Sequence, residues 1–345
     1  SASSRSTRRL LPRRAPHHEG AEPERKRDMT DQVTTRSRTL WLIGLAAVAI
    51  ILFRALRSLP LLPDFLTITD NDDFMRMVEL RDWLAGQPWF DTQQYRVLPP
   101  EGISLHWSRY LDAGIAIFLV PASWFLPPAQ AELAAMVLWP AFLSCLMALV
   151  LVHANGRLFG AAGAVGALAV FLGWSRLGAE FVSTRVDHHS PQILGATAVF
   201  YLSLLPGRPR LYGALAGLAT ALTLAIGLEM LPLLALIWGM MLIRHALREP
   251  GAGDWLLGFC AALALAMPML IAGQTPLSDW TTPRCDFLAT PLLALAGVGI
   301  VTSLASVLSA GMVQRPASRI LIMLAVASLA LWLASPLLAP CAAGP

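Results

Sequence analysis

Apolar residues in this chain come in long runs, not in the one-in-two pattern of a half-buried strand. Runs at about 40–60, 131–153, 159–175, 191–206, 211–227, 229–244, 254–272, 287–309 and 319–339 approach the roughly 20 residues a helix needs to cross a bilayer. Each predicts a helix, because backbone facing lipid must satisfy its own N–H and C=O groups. The fold class expected is all-α, a polytopic membrane bundle with about nine spans. One run, 113–126, ends after fourteen residues at Pro127-Pro128 and reads as re-entrant or interfacial. The stretch 211–244 is tight for two spans, and Gly227-Leu228-Glu229 is where the break is expected.

Between the runs the polar segments differ in kind. Residues 64–111, with Trp83, Trp89 and Trp107, are too long to be only a connection. Within them Phe74–Leu84 reads as an amphipathic helix with Met77, Leu80 and Leu84 on one face and Arg76 and Arg81 elsewhere. Pro99-Pro100-Glu101-Gly102 is a turn signal. If 113–126 does not cross, Arg157, Arg208, Arg210, Arg244, Arg248, Arg315 and Arg319 all fall in cytoplasmic loops, as the positive-inside rule requires. Two polar knots, Asp70-Asn71-Asp72-Asp73 and Thr184-Arg185-Val186-Asp187-His188-His189-Ser190-Pro191, then share the opposite face. If 113–126 does cross, every later basic loop flips outside. The expected place is a bacterial-type inner membrane, with the knots facing the periplasm or exterior.

Composition agrees with the pattern. Of 345 residues 56% are apolar and 14% charged, and mean hydropathy is +0.58. Average soluble domains carry about 25% charged residues. Lys+Arg exceed Asp+Glu by 26 − 22 = 4, but much of that excess sits in the first 38 residues and in short loops, so it does not argue for nucleic acid. Residues 1–39 read as a disordered basic tail, with Met29 a natural start, and 40–345 as the membrane domain. The tail lacks the apolar core and small-residue cleavage site of a secretory signal. The sequence stops soon after the last run, and a fragment of a longer chain is one reading of that.

Ionisable groups beside hydrocarbon are costly, and that makes both knots candidate sites. The outer face would gather Asp70, Asp72, Asp73, Glu180, Asp187, His188 and His189, a carboxylate and imidazole set that suits Mg, Mn or Zn. Asp187 and His189 are two apart, so both reach one ion while His188 points elsewhere. Arg76, Arg81, Arg109, Arg176 and Arg185 lie near the same face and suit phosphate. Together these point to a phosphate-bearing lipid substrate. Each feature also has a plainer reading. The acidic knot and Asp187–Pro191 serve equally as helix starts. The arginines snorkel to headgroups. His106-Trp107-Ser108-Arg109 is an interfacial anchor, and Glu229 is a loop residue. Cys145 and Cys260 fall inside spans, whereas Cys285 and Cys341 both fall outside, where an oxidising compartment would permit a disulfide.

The two knots together resemble the membrane domain of oligosaccharyltransferase catalytic subunits of archaeal and bacterial type, in the GT-C superfamily of glycosyltransferases. The resemblance covers about 40–245 and rests on Asp72-Asp73-Phe74-Met75-Arg76, on Pro99-Pro100-Glu101-Gly102 with Trp107 and Asp112 after it, on Arg157-Leu158-Phe159-Gly160, and on Val186-Asp187-His188-His189. It implies a divalent metal, Mn or Mg, held by Asp72, Asp187 and His189. It implies catalytic roles for Asp72, with Asp70 as the alternative, and for Asp187. With the residues already named, the substrate contacts expected are Arg76, Arg109, Arg185, His106 and Glu229. The implied activity is transfer of a sugar from a polyprenyl-(di)phosphate donor to a lipid-linked glycan, surface polymer or protein. Gln192 stands where the family often has Glu, and the family's Trp-Trp-Asp-Tyr-Gly motif and C-terminal domain are absent. Transfer to an Asn sequon is therefore not implied; a smaller GT-C enzyme or a truncated one fits equally. The competing class is a multi-pass transporter or flippase of a lipid-linked sugar. Metal-dependent phosphoryl chemistry on a polyprenyl diphosphate and a non-catalytic subunit are further readings.

Overall fold

The computed structural model of the chain describes residues 21–61, 70–105, 107–174, 178–280, 282 and 284–342. Among these the architecture is helical. In chain order the helices are α1 (Ala21–Ser58), α2 (Asn71–Leu84), α3 (Arg109–Ser123), α4 (Pro128–Gly173), α5 (His189–Leu204), α6 (Pro209–Ile226), α7 (Leu231–Ala246), α8 (Ala252–Gln274), α9 (Thr290–Ser309) and α10 (Pro316–Leu338). Two strands, β1 (Gln93–Gln94) and β2 (Ile103–Ser104), pair antiparallel inside the long polar loop, Gln93 opposite Ser104. Six helical stretches are long and apolar enough to cross a membrane: Ser37–Ser58, α4, α6, α8, α9 and Pro316–Cys341. The apolar side chains Trp41, Leu45, Phe53, Leu236, Leu265, Met269, Trp332 and Leu333 point outward, a surface made for lipid.

The breaks lie at or near the expected ones, Gly160 falling just past the gap expected between 153 and 159. α4 holds Gly160 at φ 78°, ψ −169°, a left-handed conformation that glycine adopts without a Cβ clash, so two helices meet there end to end. α6 and α7 part between Gly227 and Met230. α3 covers 15 residues, Arg109–Ser123, over the short run expected at 113–126. α1 starts at Ala21, so the expected tail is helical well before residue 40, although the membrane-grade stretch begins at Ser37. On α2, Met77 and Leu80 are buried as expected; Leu84 is exposed and Arg76 is buried.

Two apolar clusters make the core. One joins α1, α2, α3 and α4 around Ile51, Leu80, Ile115, Trp139 and Met147. The other joins α5 to α10 around Val199, Leu224, Trp255, Phe259 and Met267. α6 and α8 approach backbone to backbone: a Cβ on Gly213, Gly217 or Gly258 would stand 1.9, 2.4 or 2.0 Å from a carbonyl oxygen of the other helix. Small residues at such crossings let spans pack in lipid without a hydrophobic drive.

Contacts between helix ends and loops sort them to two ends of the bundle. At one end Arg157 donates to the Tyr212 hydroxyl (3.2 Å), Arg210 pairs with Asp254 (2.7 Å), Arg244 donates to Ser203 O (2.8 Å) and Arg319 to His245 O (3.3 Å). At the other, Ser108 bonds Gln274 (2.6 Å), Trp89 donates to Gly273 O (2.6 Å) and Cys285 is disulfide-bonded to Cys341. The disulfide that the sequence left open is formed.

Candidate functional site

The second end carries both polar knots, and α2 brings them together. Asp70 takes the N-cap position of α2, yet its side chain caps nothing. Residues 73, 76, 77 and 80 share the buried face, so Asp73 points inward. Its Oδ1 accepts from the backbone N–H of Val186 (2.7 Å) and Asp187 (3.0 Å), and its Oδ2 from Arg185 Nη1 (3.0 Å). The facing segment is held in turn. Thr184 N–H donates to Met136 O at 2.8 Å, and the Ser183 hydroxyl bonds that of Ser58 at 2.6 Å. Thr184 sits at φ 80°, a conformation that strains a β-branched residue by about 1–3 kcal/mol. Such strain gathers where a backbone must aim particular side chains.

Those side chains are Arg185, Asp187 and His189. Arg185 Nη2 donates to Glu180 Oε2 (2.9 Å) and Asp187 Oδ2 (2.7 Å), and Asp70 Oδ2 lies 3.6 Å from Nη1. Asp187 Oδ2 also meets His189 Nδ1 at 2.9 Å, and Asp187 Oδ1 accepts the His189 backbone N–H at 3.1 Å. Four carboxylates thus surround one guanidinium and one imidazole, and negative charge is in excess. Burial first, then repulsion from Asp187, push Asp73 up to about 6, against the pull of Arg185 and the two amides. Burial would raise Asp187 as well, but the hydrogen bond and charge of His189, with Arg185, leave it below its ordinary value. His189 is raised by its bond to Asp187.

Glu180, Asp187 and His189 each offer one ligand atom, all within 4.8 Å of one another. Two carboxylate oxygens and an imidazole nitrogen at that spacing fit a hard or borderline divalent ion. Arg185 now shares two of those carboxylates, so a bound ion and the guanidinium would share the same negative charge.

No protein family, curated protein or solved structure matches the chain. The site therefore stands on its own residues.

The expected residues divide. Asp187 and His189 enter the cluster, Asp187 buried and His189 half-exposed. Asp72 is exposed in the first turn of α2, and its ligand atoms are outside the cluster. Asp70 is 57% exposed at the rim. Arg185 lies at the centre. Arg76 and Arg109 are turned inward, each 1% exposed. Arg76 Nη1 pairs with Asp112 (3.0 Å) and Glu79 (3.2 Å), Arg109 Nη1 with Asp112 (3.0 Å), and the Arg76 guanidinium covers the Trp107 ring at 4.5 Å. His106 and Arg176 lie outside the described residues. Glu229 sits in the α6–α7 break, where Oε1 meets His188 Nε2 (3.0 Å) and Oε2 accepts from Gln192 (2.5 Å). The His188 bond, against burial, takes Glu229 down to about 2. Gly227 permits this approach: a Cβ there would stand 2.1 Å from Gln192 Nε2.

Asp73 is the residue the sequence reading passed over as a site residue. The signal was present, since 73, 76, 77 and 80 repeat at helical spacing. Glu180 was named only among the outer acids, and its place in the cluster depends on a turn that periodicity does not report.

Proposed function

We propose that the protein is a membrane glycosyltransferase of GT-C type that moves a sugar from a polyprenyl-(di)phosphate donor to an acceptor at the outer face of the membrane. The observation that carries this reading is the meeting of the two knots, with Glu180, Asp187 and His189 converging beside Asp73 and Arg185. Nine crossings fit the same contacts. Asp73 bonds Arg185, so an even number of spans separates them, which is met when both halves of α4 cross and α3 does not. Cys285 bonds Cys341, so two spans, α9 and α10, lie between them. The helix ends holding Arg157, Arg210, Arg244 and Arg319 then face the cytoplasm, and the site faces an oxidising exterior.

In this reading Glu180, Asp187 and His189 hold a manganese or magnesium ion. When bound, the ion supplies Lewis-acid neutralisation of the leaving phosphate. Arg185 adds fixed positive charge for the same phosphate. Asp73 fixes the 186–187 backbone, which orients Asp187 and His189. Asp72, exposed one residue away, meets the acceptor hydroxyl as general base. The acceptor oxygen bonds the anomeric carbon from the face opposite the phosphate, and the carbon–phosphate oxygen bond breaks with inversion. A transporter would place its charge at the bilayer midplane; Glu229 instead sits at the same end as the cluster, bonded to His188.

The test is sugar transfer from a polyprenyl-phosphate hexose by full-length protein in nanodiscs. Asp72→Ala and Asp187→Ala should each abolish it at normal protein level. Unchanged transfer in both variants would sink the assignment.

A further inference from the structure

Beside the cluster lies a cavity of about 310 Å³ that the reading above leaves unused. Four separate pieces of chain wall it: Trp107 before α3, His188 at the start of α5, Glu229 in the α6–α7 break, and Cys285-Asp286 before α9. The last wall is fastened by the bond from Cys285 to Cys341 at the end of α10. Its volume is at the lower end for small-ligand pockets, room for roughly one sugar ring. The chemistry of the walls selects the ligand. Among the described residues no lysine or arginine lines the cavity, which disfavours a phosphate there. Glu229 and Asp286 are carboxylates, groups that when ionised only accept hydrogen bonds. Glu229 is held in place by His188 and Gln192, and each of its carboxylate oxygens keeps a further lone pair for a hydroxyl. Trp107, Ile226 and Leu228 supply apolar surface for C–H groups. A hydroxyl-rich, uncharged ring matches all of these.

The cavity also touches the cluster. The rings of His188 and His189 stack at 4.4 Å, His188 on the cavity side and His189 among the ligand atoms. We propose that this cavity is a sugar-binding subsite, in which Glu229 and Asp286 accept ring hydroxyls and the apolar atoms of Trp107, Ile226 and Leu228 meet its C–H groups. It rests on the transfer reading for its role, which is to seat the terminal ring of a glycan acceptor next to the donor.

The experiment is saturation-transfer NMR on the full chain in detergent. The probes are methyl α-D-glucoside, methyl α-D-mannoside and methyl N-acetyl-β-D-glucosaminide, with propylamine as the cationic competitor. At least one glycoside should take up saturation from the wild type. Its affinity should fall about tenfold in Glu229→Gln and in Asp286→Asn, the loss expected for one hydrogen bond to a charged group. Two variants keep the test valid if one misfolds, judged by size exclusion and Tm. Manganese binding should persist in both. Saturation of propylamine alone, no saturation of any glycoside, or folded variants that bind like wild type would each overturn the subsite. Absent sugar transfer or manganese binding, with glycoside binding intact, would instead count against the transfer reading and leave the subsite standing.

Discussion

α2 contributes to two clusters of charge that meet burial in opposite ways. Arg76 and Glu79 join Arg109 and Asp112 of α3 in a quartet of two cations and two carboxylates, each side chain at most 4% exposed. Asp73, one turn earlier, joins Asp70, Glu180 and Asp187 around Arg185. The first is balanced when Glu79 is ionised and closed to solvent. The second has more acid than base and opens to solvent through Asp70, Glu180 and His189. A balanced, dry quartet is what locks one helix onto another. An acid-rich, half-open one holds repulsion that a further cation would relieve. The difference identifies which charged residues serve the fold and which are available for chemistry, although the two kinds look alike in the sequence.

The comparison can be broken most forcefully at the quartet. Asp112→Asn leaves two buried guanidinium groups without one of their two carboxylates, and such uncompensated charge costs about 3–5 kcal/mol. Thermal unfolding in detergent should show it as a large fall in Tm, with folded protein lost rather than activity lost selectively. A change below about 1 kcal/mol would mean that the quartet is relaxed by water and does not lock α2 to α3.

At the cluster the same chemical change should act in reverse. Asp187→Asn removes one negative charge from an excess, so stability should move less than in Asp112→Asn. Sugar transfer should fall about 100-fold or more, the scale seen when a metal site loses an orienting or ligating group. Equal stability losses in the two variants would erase the distinction between them.

A smaller effect separates the two by pH. Burial raises Glu79 well above its ordinary value of 4.5, against the attraction of Arg76 and in line with the repulsion of Asp112. The folded state therefore holds this proton to higher pH than the unfolded chain does. Stability from this group is greatest below pH 4.5 and is lost as pH rises from there through the raised folded value. Asp73, at about 6, adds a slope of the same sign between its ordinary 3.8 and that value. In Glu79→Gln the upper part of the fall in Tm should disappear while the Asp73 part remains. A parallel pair of Tm–pH curves would contradict the assignment.

Much of the fold was legible because apolar run length is a strong signal. A break between the runs 131–153 and 159–175, the break between Gly227 and Met230, the short α3 and a helix in the polar loop follow from it, and side-of-membrane bookkeeping allowed Cys285 and Cys341 to pair without giving their distance. The two-residue hairpin was not legible, since four residues carry no periodicity. Nor was the sorting of the arginines. Arg76, Arg109 and Arg185 have equal claims as phosphate binders in one dimension. Only packing shows that Asp112 lies between the first two, and that the third is ringed by acids from two segments, the start of α2 and the α4–α5 connection. Asp73 was masked by its neighbours: in an Asp-Asn-Asp-Asp run, the helix start decides which carboxylate faces in.

The central claim is that the acid-rich cluster takes a divalent cation. Its most direct test is manganese binding by the full chain in detergent, followed by electron paramagnetic resonance with and without polyprenyl phosphate. Wild type should bind one ion per chain in at least one of those conditions, and Asp187→Ala/His189→Ala should bind none. A wild type that binds no ion with or without the lipid, or a double variant that binds as wild type does, would contradict it and leave the Asp-His-His stretch as the start of a helix.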